Sequence, residues 1–388
     1  MPGTGIAIRN NSTGQIRISQ ADLLVGTYIE SANEAAIQGT ILLAANGIAA
    51  WPRLVMSGGT VRNVASDSVD PVTDARAINN LSAGGITISN GTVSVTDGVA
   101  IRNANSGAIT IRAANGFSVP MITSANTSLA QGTIVLEDDN GNGIGGTRLT
   151  LDGGEVANTA NVDTARTINN LSRGDVIIER GIVRAGAGVA IINVNGGLIR
   201  IDQRTHSIAD RTIISSANDS SAHGTIVLGH TLTDDGPGPG GRLTMLAGLI
   251  SAHTNGATVN AITNNSTGSI VIEGGTVEGN LGVAINNLHA GTITVLQGGR
   301  LFFPTVITSR NTGSGAGTIF VGQPAGTEQW EWTNERISIQ GGTVENSGGV
   351  HSPRWAVFID CRFAIDPPDI RPAANVGAVR RFPHPPSP

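Results

Sequence analysis

The chain has 388 residues, 53 of them Gly, with 39% hydrophobic, 14% charged and 3% aromatic residues. So few aromatics argue against compact domains of ordinary core composition, and a formal net charge of −5 leaves no basic footprint for nucleic acid. All 24 basic residues are Arg, which excludes lysine-dependent chemistry; the single Cys361 allows neither an internal disulfide nor a cysteine metal site, and no apolar run reaches the ~18 residues of a membrane span.

The first segment, MPGTGIAIRNN, has no charged stretch followed by an apolar one and does not read as a signal peptide. It begins inside a repeat, as expected of a mature, truncated or fragmentary chain. The repeat is AIRNNSTGQIRI at Ala7–Ile18. It returns as AINNLSAGGITISNGTVSV at Ala77–Val95, TINNLSRGDVIIERGIVR at Thr167–Arg184 and AITNNSTGSIVIEGGTVE at Ala261–Glu278. Asn79-Asn80, Asn169-Asn170 and Asn264-Asn265 mark the same point, so the long unit is about 90 residues.

Each long unit divides into roughly four turns of about 22–24 residues, the size of one solenoid coil. In the second unit these are Ala77–Thr96, Gly98–Val119, a coil beginning at Met121, and Thr147–Asn158. The third unit follows with Val189–Ile201, Ile213–Leu228 and Arg242–Ser251, and the fourth with Val283–Val295, Val306–Val321 and Arg336–Glu345. Within each coil the period is two: Ile86/Ile88, Ile109/Ile111, Ile134/Leu136, Ile199/Ile201, Ile226/Leu228, Ile270/Ile272 and Ile293/Val295 point one way. Pairs such as Gly153-Gly154 and Gly274-Gly275 follow the strands and suit sharp corners. The expected fold is an all-β, right-handed parallel β-solenoid over residues 1–350. About 15 coils at ~4.8 Å give a rod near 70–75 Å long.

A recurring Asn at Asn11, Asn80, Asn103, Asn170, Asn193, Asn265 and Asn286 predicts an amide ladder along the coils. After Pro353 the chain turns Pro- and Arg-rich. Residues 351–388 read as a C-terminal cap, centred on Trp355–Ile365, or as a Pro/Arg-rich disordered tail.

Candidate chemistry is sparse. Asp138, Asn140 and Asn142, with Gly143, form the first half of a calcium loop, in which alternate oxygen ligands and a Gly bend wrap a hard cation. The twelfth position, which needs a bidentate Glu, is Leu149, and the next unit's loop, Asp234-Asp235-Gly236-Pro237, has lost the asparagines. The seven histidines are scattered, and no G-x-S-x-G nucleophile turn occurs. The acidic pairs Asp138-Asp139 and Asp234-Asp235 fall four coils apart in this register, roughly 19 Å, against the roughly 5–10 Å that two glycosidase carboxylates need. An ice-binding hydroxyl lattice does not fit the outward strand residues, which include Arg17, Leu42, Thr87, Val135, Ile177, Arg200, Val227 and Phe320.

The phrase AI-x-N-x-S-x-G-x-ITI-x-GGTV, as in Ala261–Val277, resembles the tandem repeats of bacterial cell-surface and adhesin-like proteins, over roughly residues 5–346. That resemblance implies display outside the cell and a structural role, as a rigid stalk or interaction scaffold. Its partners would be surface glycans or other protein chains. Binding is expected on the loops Glu137–Gly146, Thr231–Gly241 and Gln323–Thr333, or on the outer strand face. The alternative is a carbohydrate-binding or polysaccharide-processing β-helix. No catalytic residue and no cofactor beyond calcium is expected.

Overall fold

The computed structural model describes residues 3–20, 26–35, 37–44, 51–65, 74–113, 119–137, 146–204, 211–218, 220, 223–229, 242–253, 259–298, 303–311, 317–322, 336–348 and 356–359. Among them every regular element is a strand, and the strands pair in parallel as an all-β solenoid. Three faces run along it. Face 1 is a twelve-stranded sheet that starts at Ile8–Asn10, passes through Ile41–Leu43, Arg76–Asn80 and Val99–Asn103, and ends at Val357–Ile359. Faces 2 and 3 form one 18-stranded sheet, because Leu54–Asn63, Ile86–Val95, Thr147–Asn158 and Asp175–Ala185 bend from one face onto the other.

Glycine makes that bend possible. Gly153 and Gly154 have φ of +108° and +102°, and a Cβ on Gly154 would lie 2.7 Å from the carbonyl oxygen of Pro120 on the preceding coil. Positive φ and a close backbone approach together leave room for no side chain.

The core is a set of aliphatic columns. On face 1, Ile8, Ile41, Ile78, Ile101, Ile134 and Ile168 pair rung on rung, and Ile191, Ile226, Ile262, Ile285 and Ile319 continue the column. Face 2 adds two inward residues per coil, such as Ile86 and Ile88, and face 3 adds one, such as Val93. Each fully buried aliphatic side chain contributes about 1.5–3 kcal/mol. Four per coil explain how a chain so poor in aromatics holds together.

The repeat of about 90 residues holds, but it contains three coils and not four. Face 1 rungs fall at Ile78, Ile101, Ile134 and Ile168, intervals of 23, 33 and 34 residues. The next unit runs Ile168, Ile191, Ile226, Ile262, intervals of 23, 35 and 36. Met121–Ser124 closes the coil opened by Val99–Asn103. Thr147–Asn158 is two sides of the coil opened by Ile134–Leu136. Because the glycine bend keeps both sides within one strand, a phrase that reads as a separate coil belongs to its neighbour. The rod therefore has eleven complete coils and is roughly 50 Å long. Beyond Asn346 the described Val357–Ile359 adds a twelfth strand to face 1; the rest of the expected cap or tail lies outside the described residues.

The asparagine ladder exists, in pairs. Asn80 Nδ2 donates to Asn103 Oδ1 at 2.9 Å, Asn170 to Asn193 at 2.9 Å, and Asn264 to Asn287 at 2.9 Å. The inward residues are Asn10, Asn264 and Asn287, one position from the expected Asn11, Asn265 and Asn286. Every third rung replaces Asn by Leu43, Leu136, Leu228 or Val321, which ends each pair.

The expected outward residues divide between faces. Arg17, Thr87, Ile177 and Arg200 lie on face 2. Leu42, Val135 and Val227 lie on face 1 and are only 5%, 3% and 0% exposed, so that side is covered there.

Candidate functional site

Asp138, Asn140 and Asn142 lie outside the described residues, as do 231–241 and 323–333. Their anchors are described. The strands that lead into these loops end at Leu136, Leu228 and Val321, where the ladder Asn is missing. Where Asn is present it builds a tight corner: Asn80 Oδ1 accepts from Ser82 N and Ser82 Oγ, while Nδ2 donates to Gly84 O at 2.8 Å. Where Leu or Val stands instead, the chain leaves in a longer loop. The loops thus leave one edge of the rod every third coil, ~14 Å apart, not the four coils and 19 Å expected. Among the described residues no group of three His, Cys, Asp or Glu could hold a metal.

Arginine takes over at the returning end of these loops. Arg53 and Arg148 are 1% and 2% exposed. Arg53 Nη1 donates to Ala44 O at 2.5 Å and Nη2 to Asn10 O at 2.9 Å. Arg148 Nη2 donates to Asn103 O at 3.2 Å and Asn105 O at 2.5 Å. Arg336 donates to Gly322 O at 2.6 Å and to His289 O. Apart from Ala44 and Gly322 at the start of the loop itself, these carbonyls belong to the corner of the coil before, so each guanidinium ties a loop base to its neighbour. Burial lowers the Arg53 pKa.

A second, partly buried polar cluster covers the outside of face 1 and the corner that leads into it. In the second unit Arg102 grips Glu137 with both ends of its guanidinium, Nε to Oε1 at 2.6 Å and Nη2 to Oε2 at 2.5 Å. Its Nη1 reaches Asn79 Oδ1 at 3.3 Å. Gln131 donates to Asp74 at 3.1 Å, and Arg76 stands 3.4 Å from the same oxygen. Desolvation, with Arg102 beside it, lowers the Arg76 pKa to about 10 against the pull of Asp74 and Glu137.

The third unit places different residues at the same positions. Ile192 stands for Arg102, Gly229 for Glu137 and His223 for Gln131. Ile192 packs with Val189, Val194 and Val227 in an apolar cluster. Asn169 Oδ1, Arg166 Nε and Nη2, Asn218 Nδ2 and His223 Nδ1 are left buried without a hydrogen-bond partner. Burial lowers the Arg166 pKa to about 10. Burial, then the positive charge of Arg166, lowers that of His223, which is therefore neutral at pH 7. Arg76 and Arg166 stay charged and cannot serve as bases. The cluster pins a corner in one unit and is half converted to apolar packing in the next.

Sequence reasoning missed these arginines. The signal was present: Arg53, Arg148, Arg242 and Arg336 each stand directly before an aliphatic pair in the same phrase, although Arg242 is exposed. No family model, no curated protein and no solved structure matches the chain.

Proposed function

We propose that the chain is a structural and adhesive repeat region of a bacterial surface or secreted protein, acting as a rigid stalk or interaction scaffold. The observation that carries this reading is one internal hydrogen bond repeated in every unit. Ser31–Thr40, Ser124–Thr133, Ser216–Thr225 and Ser309–Thr318 pair their hydroxyls at 2.6–2.8 Å. Interior chemistry that returns unchanged with each unit maintains a shape, and a rod can be lengthened by adding units. The units also differ in the loops that leave one edge of the rod, which is where surface glycans or other protein chains would bind. Calcium at Asp138, Asn140 and Asn142 would stiffen one such loop.

The test has two arms. Antibody against the purified chain should label intact source cells, and incubation with a panel of polysaccharides should release neither reducing ends nor unsaturated sugars. Turnover of any polysaccharide would overturn the structural reading in favour of a carbohydrate-processing β-helix.

A further inference from the structure

Face 3 carries an outward apolar stripe with a charge pattern beside it. Ile182, Ile213, Leu249 and Thr276 stack on four successive rungs and are each half-buried. Met121, 42% exposed, lies in the same column two rungs before Ile182. The next column on the same side of those strands reads Arg184, Ser215, Ser251, Glu278; its two serines are buried, 8% and 0% exposed, so its ends alone reach the surface. It begins with a cation and ends with an anion, with two small polar residues between. Arg184 holds Glu155 at 2.5 Å, yet its side chain remains 57% exposed. Glu278 receives only a 3.5 Å contact from Ser251 Oγ and has no ion pair among the described residues.

We infer that face 3 binds a second copy of this chain, antiparallel and face to face. Consider a two-fold axis along the strand direction, between the rungs of Ile213 and Leu249. It sets Ile213 against Leu249 of the other copy and Ile182 against Thr276. It sets Arg184 against Glu278, and Glu278 against Arg184. An isologous contact of this kind makes each favourable pair twice. Continued outward, the same operation opposes Glu155 to Val306 and Thr123 to Glu345, so no like charges meet over eight rungs. A parallel arrangement offers no such match. Eight rungs at ~4.8 Å, about four residues wide, bury about 500 Å² per chain. That is the low end for a specific contact.

The experiment is sedimentation equilibrium on the full chain, with circular dichroism to check that each variant keeps its strands. The native chain should associate reversibly to a dimer. Ile213→Asp, on the outward side and away from the core, should abolish dimers. Arg184→Glu and Glu278→Arg should each weaken association about tenfold or more, because each places like charges opposite one another twice. An equimolar mixture of the two single variants should dimerise again, as should the double variant, since both restore opposite charges. A monomer at every concentration overturns the inference. So does a dimer indifferent to these substitutions, or one that the mixture fails to restore.

Discussion

Ser124 and Thr133 are nine residues apart, and their hydroxyl oxygens lie 2.6 Å apart inside the rod. Thr133 spends its only proton on the carbonyl of Ala157 at 3.1 Å, on its own coil and one rung beyond Ser124, so Ser124 must donate to Thr133. One short chain links a corner, a strand and the coil above. Replacing Thr133 by Val keeps the shape but leaves the Ser124 hydroxyl buried without its acceptor and takes one of the donors from the Ala157 carbonyl. The expected cost is about 1–3 kcal/mol in urea unfolding. Adding Ser124→Ala should recover part of the loss, because it removes one orphaned group.

Asn80 uses both amide hydrogens, on Gly84 O and Asn103 Oδ1, and its oxygen receives Ser82. Asn80→Asp keeps the size and removes both donors, placing a buried carboxylate against two oxygens. We expect a loss of about 3 kcal/mol or more at pH 7, smaller at pH 4 where the carboxyl is protonated. Equal stability of the variant and native chains at pH 7 would contradict the ladder.

The two classes of buried arginine should respond differently. Arg148 bridges the carbonyls of Asn103 and Asn105, so Arg148→Met is expected to destabilise by about 2 kcal/mol. Arg166 Nη1 donates to Asp163 O and Ala165 O, local carbonyls of its own coil, while Nε and Nη2 stay unpaired in a site that disfavours its charge. Arg166→Met should be close to neutral or stabilising, as when a buried charge gives way to apolar packing. Thermal unfolding of the two variants beside the native chain checks the contrast.

His223 makes stability fall in acid. Its folded pKa lies below 6.5, its ordinary value, so below about pH 6.5 the unfolded chain binds a proton that the folded chain refuses. Stability is complete above that pH and declines as pH falls through the window between the unfolded and folded values. His289, lowered by burial and then by Arg336, contributes in the same direction. His223→Gln restores the residue found at Gln38 and Gln131, where it accepts from Asn33 and Asn126. The midpoint in urea should then drop less between pH 7.5 and 5.5 than in the native chain.

How much of this was legible follows from particular residues. The Ile columns were readable because a period of two over three or four residues admits one inward side. The ladder was readable in kind but slipped by one residue at the Asn10-Asn11, Asn264-Asn265 and Asn286-Asn287 doublets. Parity settles them: the inward Asn is the one two after the core Ile, as in Ile78 and Asn80. The coil count was not readable. Gly153-Gly154 looks like the end of a strand, whereas its positive φ carries the strand round a bend. The buried clusters of Arg76 and Arg166 gave no local signal, since what covers them comes from coils some 30 to 60 residues away in the chain. The calcium-loop candidates Asp138, Asn140 and Asn142 fall outside the described residues.

The central claim is that the chain is a rod assembled from interchangeable three-coil units. Deleting residues 122–213 joins Met121 to Ile214 and removes one whole unit, restoring the Ser216–Thr225 pair at the join. Small-angle X-ray scattering of the shortened and full chains measures the change in maximum dimension. The expected result is a folded rod shorter by three rungs, ~14 Å, with an unchanged cross-section. A shortening near 19 Å, an altered cross-section or loss of the β circular dichroism signal would contradict it.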